Sequence, residues 1–171
     1  MFKVKNKITE EIVQVLDTYC DEYGKTWFLL WVKDKWVWRA ADSFVPPNYI
    51  SKKKVIIAGS RTFQNYPLLC KELDKIKEQI DEVICGEARG ADTFGRNWAC
   101  GNGIKIKSFP ADWQKYGKQA GMIRNDEMAT YADMLIAFWD GQSVGTQDMI
   151  DRMEKLGKEV KVIYYDRPRT D

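Results

Sequence analysis

The sequence predicts an α/β protein in which a small all-β domain precedes a parallel sheet covered by helices on both faces. Three observations predict it. Aromatic residues crowd positions 19–44 between turn signals, a proline- and lysine-bearing segment follows at 46–54, and from there to Tyr165 short apolar runs alternate with helical patterns.

In the first part, residues 11–19 (EIVQVLDTY), Thr26–Val32 (TWFLLWV) and Lys35–Ala40 (KWVWRA) read as strands of an antiparallel meander. EYGK and KDK lie between them as turns. A sheet this small stays folded only by burying one face, so most of its tryptophans are expected in its core. The alternative is an aromatic surface that stacks on a ligand or partner. The pattern ending in ADSFVPP resembles a small SH3-like barrel, which gives a domain over 1–47. In the linker PPNYISKKK the prolines add stiffness and the lysine run keeps a strand start soluble.

From residue 53 the period changes. VIIA (55–58), VIC (83–85), the run 104–109, MLIAF (134–138) and the run 160–165 read as strands. Helical patterns at 68–80, 91–100, 123–131 and 146–156 separate them. In the first helical pattern Leu69, Leu73, Ile76 and Ile80 share one face by their spacing of three and four. Continuous apolar strands between amphipathic helices imply a parallel sheet buried on both sides. The expected domain, 53–166, is Rossmann-like.

Composition removes several function classes. The 171 residues hold 27 basic and 25 acidic side chains, a formal charge of +2. That balance makes nucleic acid an unlikely partner unless a local patch exists. No histidine is present, so a Ser-His-Asp triad is excluded and the commonest metal ligand is missing. Cys20, Cys70, Cys85 and Cys100 show no CxxC spacing and read as reduced core thiols of a cytoplasmic protein. No run approaches the roughly 18 apolar residues of a membrane span, and the first residues lack an export signal.

In a sheet of this kind ligands bind beyond the carboxyl ends of the strands. Three loops there combine glycine with hydroxyl, arginine or carboxylate groups: Gly59-Ser60-Arg61, Gly86-Glu87-Ala88-Arg89-Gly90-Ala91-Asp92, and Asp140-Gly141-Gln142-Ser143-Val144-Gly145-Thr146. Glycine permits tight turns and close backbone approach, and a helix start attracts phosphate. Arg89 suits a phosphate, or an internal bridge to Asp92 or Glu87. Asp92 suits a helix cap or an acceptor for ribose hydroxyls.

The segments VIIAGSRTF, GEARGAD, FPADW, AGMIRNDEMA, ADMLIAFWDG and SVGTQDMI, in that order, resemble the YspA-type (YpsA-related) family of the SLOG superfamily, relatives of the LOG phosphoribohydrolases and of DprA. The resemblance runs from about residue 54 to 165. It implies a nucleotide or an NAD- or ADP-ribose-like ligand, with no firm cofactor and no metal, and often a homo-oligomer. It implies contacts from Gly59, Ser60, Arg61, Gly86, Glu87, Arg89, Gly90, Asp92, Asp112, Trp113, Arg124, Asn125, Asp140, Ser143, Gly145 and Thr146. Trp113 would stack on a base or simply pack. Arg124 would take a phosphate, or pair with Asp126 or Glu127.

Two positions depart from the family pattern. Glu87 stands where members usually carry a second glycine. Met149 stands where the LOG motif PGGxGTxxE carries its catalytic glutamate, and Asp148, one residue earlier, is turned about 100° away on a helix. Methionine transfers no proton, so the residues favour a sensor, carrier or sequestering protein over an enzyme. A hydrolase of an N-glycosidic or phosphoribosyl bond is one alternative, and a single-stranded nucleic-acid or protein interaction module is another.

Overall fold

The computed structural model describes residues 1–165, in two compact units with their boundary between Ser51 and Lys52. Position 166, the expected end of the second domain, lies outside the described residues.

The first unit is one antiparallel sheet of β1 (Phe2–Asn6), β2 (Ile12–Cys20), β3 (Thr26–Val32), β4 (Lys35–Ala40) and β5 (Phe44–Val45), in the order β4-β3-β2-β1-β5. The meander read from sequence is its centre. The flanking β1 and β5 were not expected, although FKVKN alternates apolar and basic residues with the period of a strand. Val4, Val15, Leu30 and Phe44 form the core. The expectation that most tryptophans are core is corrected, because Trp31, Trp36 and Trp38 are 51%, 56% and 40% exposed. Inward places on this small sheet go to aliphatic residues and Phe44, and the outer rings pack edge-on, Trp31 on Trp36 and Tyr19 on Trp38.

The second unit is a parallel sheet of β6 (Lys53–Gly59), β7 (Ile80–Cys85), β8 (Lys105–Ser108), β9 (Met134–Trp139) and β10 (Glu159–Tyr164), in the order β10-β9-β6-β7-β8. Its helices are α1 (Tyr66–Asp74), α2 (Ala91–Gly101), α3 (Trp113–Tyr116), α4 (Ala120–Tyr131) and α5 (Val144–Lys155). The expected helix over 68–80 stops earlier, and Ile80 instead opens β7. Successive residues of β6 face opposite ways. Val55 and Ile57 pack with Leu69 and Leu73 of α1 and Ala99 of α2, while Ile56 and Ala58 pack with Met128 of α4 and Met149 and Ile150 of α5. Each fully buried aliphatic side chain contributes roughly 1.5–3 kcal/mol. The unit is thus Rossmann-like, preceded by a small all-β domain. No helix among the described residues is long and apolar enough to cross a membrane.

The strand order decides where a ligand can sit. After β6 the chain builds β7 and β8 to one side, then crosses to build β9 and β10 on the other. The loops leaving β6 and β9 therefore diverge from neighbouring strands and open a crevice at the topological switch point.

The thiols need a correction too. Only Cys85 is buried, Cys70 is half-buried, and Cys20 and Cys100 are exposed; all four are free. Their apolar neighbours in sequence do not dictate which face of an element they take.

Candidate functional site

At the crevice the backbone comes first. Gly59 ends β6 beside β9, where a Cβ would lie 2.2 Å from the Phe138 carbonyl oxygen and 2.8 Å from the Ala91 Cβ. Gly90 has φ +80°, and its Cβ would lie 2.4 Å from the Ser60 carbonyl oxygen. These two positions need glycine to bring three loops together. Ser60 ties them: its N–H donates to the Phe138 carbonyl at 3.0 Å, and its hydroxyl oxygen accepts the Asp140 N–H at 3.3 Å.

In the second loop Asp92 is almost fully buried, and its carboxylate accepts the Gly86 N–H at 3.1 Å. The helix-cap reading is corrected, because Gly90 holds the cap position of α2 and Asp92 turns back onto its own loop. Burial pushes the carboxyl up to about 6, against the pull of the Arg124 guanidinium and of nearby backbone N–H groups. Arg124 donates to the Gly86 carbonyl and, at 3.3 Å, to Asn125 Oδ1. The expected pairing of Arg124 with Asp126 or Glu127 is not formed; Asp126 pairs with Arg152 instead. Asn125 joins α4 to α5 through the Gly145 carbonyl at 3.2 Å and Asp148 at 2.9 Å. Arg61 and Arg89 are exposed and have no hydrogen-bond or ion-pair partner among the described residues, so the bridge from Arg89 to Asp92 or Glu87 is absent there.

The third loop starts a helix that its own side chains do not cap. The carboxylate of Asp140 accepts the N–H groups of Gln142 and Ser143 at 3.1 and 2.9 Å. Ser143 occupies the cap position of α5 without capping it, because its hydroxyl oxygen receives the Thr146 hydroxyl at 3.0 Å. The first helical hydrogen bond runs from Gln147 to the Ser143 carbonyl. Among the described residues the N–H groups of Val144, Gly145 and Thr146 are therefore left over, at the positive end of the helix dipole.

Two cavities collect these groups. The first, about 310 Å³, is lined by Gly59, Ser60, Arg61, Asp92, Arg124, Asn125, Ser143, Gly145 and Thr146. Ala58, Thr62, Ala88, Met128 and Met149 complete its wall, Met149 at 2% exposure. The second, about 370 Å³, is lined by Arg61, Gly86, Glu87, Arg89, Trp113 and Arg124, with Pro110 and Ala111. Among the sequence candidates, Gly90, Asp112 and Asp140 line neither. Gly90 shapes the turn, Asp112 caps α3 by accepting the Lys115 N–H at 2.9 Å, and Asp140 shapes the loop before α5. Thr62 was within the GSRTF motif but not singled out. Ala58 and Met128 carried no chemical signal, since apolar residues of strands and helices read as core.

Asp148 lines neither cavity and is held by Arg152, while Met149 turns to the first one. Where the LOG pattern would aim a carboxylate inward, this site has a thioether. The arrangement supplies amide, hydroxyl and guanidinium donors to an anion, over an apolar floor.

A family model described as YspA, cpYpsA-related SLOG family matches residues 53–116. The Gene 61 protein of Mycobacterium phage D29 is 35% identical over 126 residues, covering 68% of this chain and 99% of that protein. The X-ray structure of DNA processing protein A (DprA) from Streptococcus pneumoniae superposes with a TM-score of 0.58 at 20% identity, over 67% of this chain. The chain spans about half of that protein, 51%, so the likeness is one of fold.

Proposed function

The chain belongs to the YspA, cpYpsA-related SLOG family, and from that premise we propose that it binds a nucleotide-derived, phosphate-bearing ligand at the switch point of its parallel sheet. One observation carries the reading: the uncapped N-terminus of α5 opens on a cavity whose wall also holds the Ser60 and Thr146 hydroxyls and the arginines at 61 and 124. Free amides at a helix start with adjacent guanidinium groups are the ordinary chemistry of phosphate recognition.

The other helix start at the crevice behaves differently. At α2 the buried Asp92 brings a carboxylate of the chain's own. Of the two, α5 is the one that awaits an anion. The ligand class is that of NAD, ADP-ribose or a cyclic nucleotide signal, held by a cytoplasmic homo-oligomer acting as sensor, carrier or sequestering protein. Met149 favours holding the ligand over cleaving it, because a thioether stands where the LOG pattern has its catalytic glutamate.

Asp92 supports a second reading. A cavity carboxyl pushed up to about 6 is able to hold a proton near neutral pH, as a general acid on a ribosyl bond must. The near-neutral charge of the chain argues against a nucleic-acid module.

Mass spectrometry of small molecules released by denaturing the purified protein tests the proposal, beside the variant Gly145→Asp, which puts a carboxylate at the start of α5. A nucleotide released intact from the wild type and missing from the variant is the expected result. A protein that releases nothing and binds none of AMP, ADP-ribose, NAD and cyclic ADP-ribose in calorimetry overturns it.

A further inference from the structure

The two cavities share Arg61, Ala88 and Arg124 in their walls. They therefore adjoin at a waist whose wall includes Arg61 and Arg124. We infer that one ligand spans both cavities, with a diphosphate that runs from the start of α5 to the guanidinium groups of Arg61 and Arg124, and a planar ring on Trp113. The inference rests on the nucleotide reading above and narrows it to a two-lobed, diphosphate-bridged class such as ADP-ribose.

The chemistry of the two lobes differs. The first cavity offers amides and hydroxyls over methionine side chains. The second offers an indole that is 54% exposed, next to Pro110 and Ala111. A tryptophan this exposed contributes little to a core, but it is a stacking surface for a base.

Charge places the phosphates. Arg61 has no partner among the described residues, and Arg124 is bonded to a carbonyl and an amide oxygen rather than to a carboxylate. Forked guanidinium groups in that state pair well with a diphosphate. Glu87 lines the second cavity and repels a phosphate set deep within it, while accepting hydrogen bonds from an amino group or a ribose hydroxyl. Arg89, in the same wall and without a partner among the described residues, balances the Glu87 charge, so the outer lobe suits a neutral group and the diphosphate sits at the waist. Size agrees, because each cavity alone lies at the small end of the roughly 300–1,000 Å³ typical of ligand sites.

Calorimetric titration of wild type, Trp113→Ala and Gly145→Asp with AMP and with ADP-ribose tests the inference, after thermal melts establish that each variant folds. ADP-ribose is expected to bind wild type about tenfold or more tightly than AMP. Each variant should weaken ADP-ribose by about tenfold, whereas AMP, which fills one lobe, should respond to only one of them. If AMP binds as well as ADP-ribose, or Trp113→Ala leaves ADP-ribose unaffected, the two-lobed ligand is wrong while the phosphate site at α5 stands. If neither molecule binds wild type, both readings fall.

Discussion

The buried carboxylate of Asp92 accepts the N–H of Gly86, six positions earlier, and so holds the turn after β7 onto the start of α2. The same turn is gripped from α4, where Arg124 donates to the Gly86 carbonyl. Gly86 leaves room for that guanidinium, since a Cβ would lie 2.5 Å from it.

The Asp92 clamp makes stability depend on pH in an unusual direction. Its folded value of about 6 exceeds the ordinary 3.8, so between these values the folded chain keeps a proton that the unfolded chain has released. The stabilising effect of that proton is complete below about pH 4 and is lost as pH rises through 6. At about 1.4 kcal/mol per pK unit the loss is about 3 kcal/mol. Asp92→Asn keeps an acceptor for Gly86 but does not titrate. Urea melts of wild type and variant at pH 4 and pH 7 should show wild type losing roughly that amount relative to the variant; equal pH dependence of the two would refute it.

The glycines divide sharply. Gly59→Ala and Gly90→Ala force a methyl against backbone oxygen at 2.2 and 2.4 Å, and Gly90 also has φ +80°. Each should cost about 3 kcal/mol or more, through strain that backbone cannot relieve. Gly101→Ala, at the end of α2 with nothing within 4 Å, should instead stabilise by roughly 0.5–1 kcal/mol. Thermal melts of the three variants check the contrast.

Much of this arrangement was legible in the sequence because the signals are local. Runs such as VIIA and MLIAF are too continuously apolar for a half-exposed sheet, and glycine with hydroxyl or arginine at their ends marks loops that can meet a ligand. Less legible was what depends on the order of strands. Nothing local says that β6 and β9 are neighbours, and hence that Ser60 and Asp140 belong to one crevice. Carboxylates were hard for a related reason: Asp112, Asp140 and Asp92 look alike in sequence, yet two serve their own turns and one is buried in the cavity wall. The exposed tryptophans of the first unit were misread because aromatic density reports strand propensity and leaves the face undecided.

Glu87 has φ +59°, in the left-handed region where glycine is at ease and other residues cost about 1–2 kcal/mol. The glycine that the family resemblance leads one to expect here would take this conformation without strain. Glu87→Gly should raise the unfolding free energy by about 1 kcal/mol, less than the full strain because glycine also loosens the unfolded chain. It should weaken ADP-ribose binding in calorimetry if the carboxylate accepts hydrogen bonds from the outer lobe. A variant less stable than wild type would mean that Glu87 makes an interaction outweighing its backbone strain.

Gly145 offers the sharpest separation of stability from binding. It lies in the first turn of α5, exposed, with nothing within 4 Å of a Cβ. An aspartate there meets the positive end of the helix dipole and removes a flexible glycine from a helix, and each effect stabilises by roughly 0.5–1 kcal/mol. Gly145→Asp should therefore melt a few degrees higher than wild type. The same carboxylate occupies the place proposed for the ligand's phosphate, so affinity should fall by about tenfold or more at low salt, less as salt screens the repulsion. The two effects together, a higher melting temperature and weaker binding, would locate the anion at α5 without any loss of fold to confuse the result. Unchanged affinity in a stabilised variant would move the phosphate away from this helix and leave the arginines at 61, 89 and 124 to anchor it.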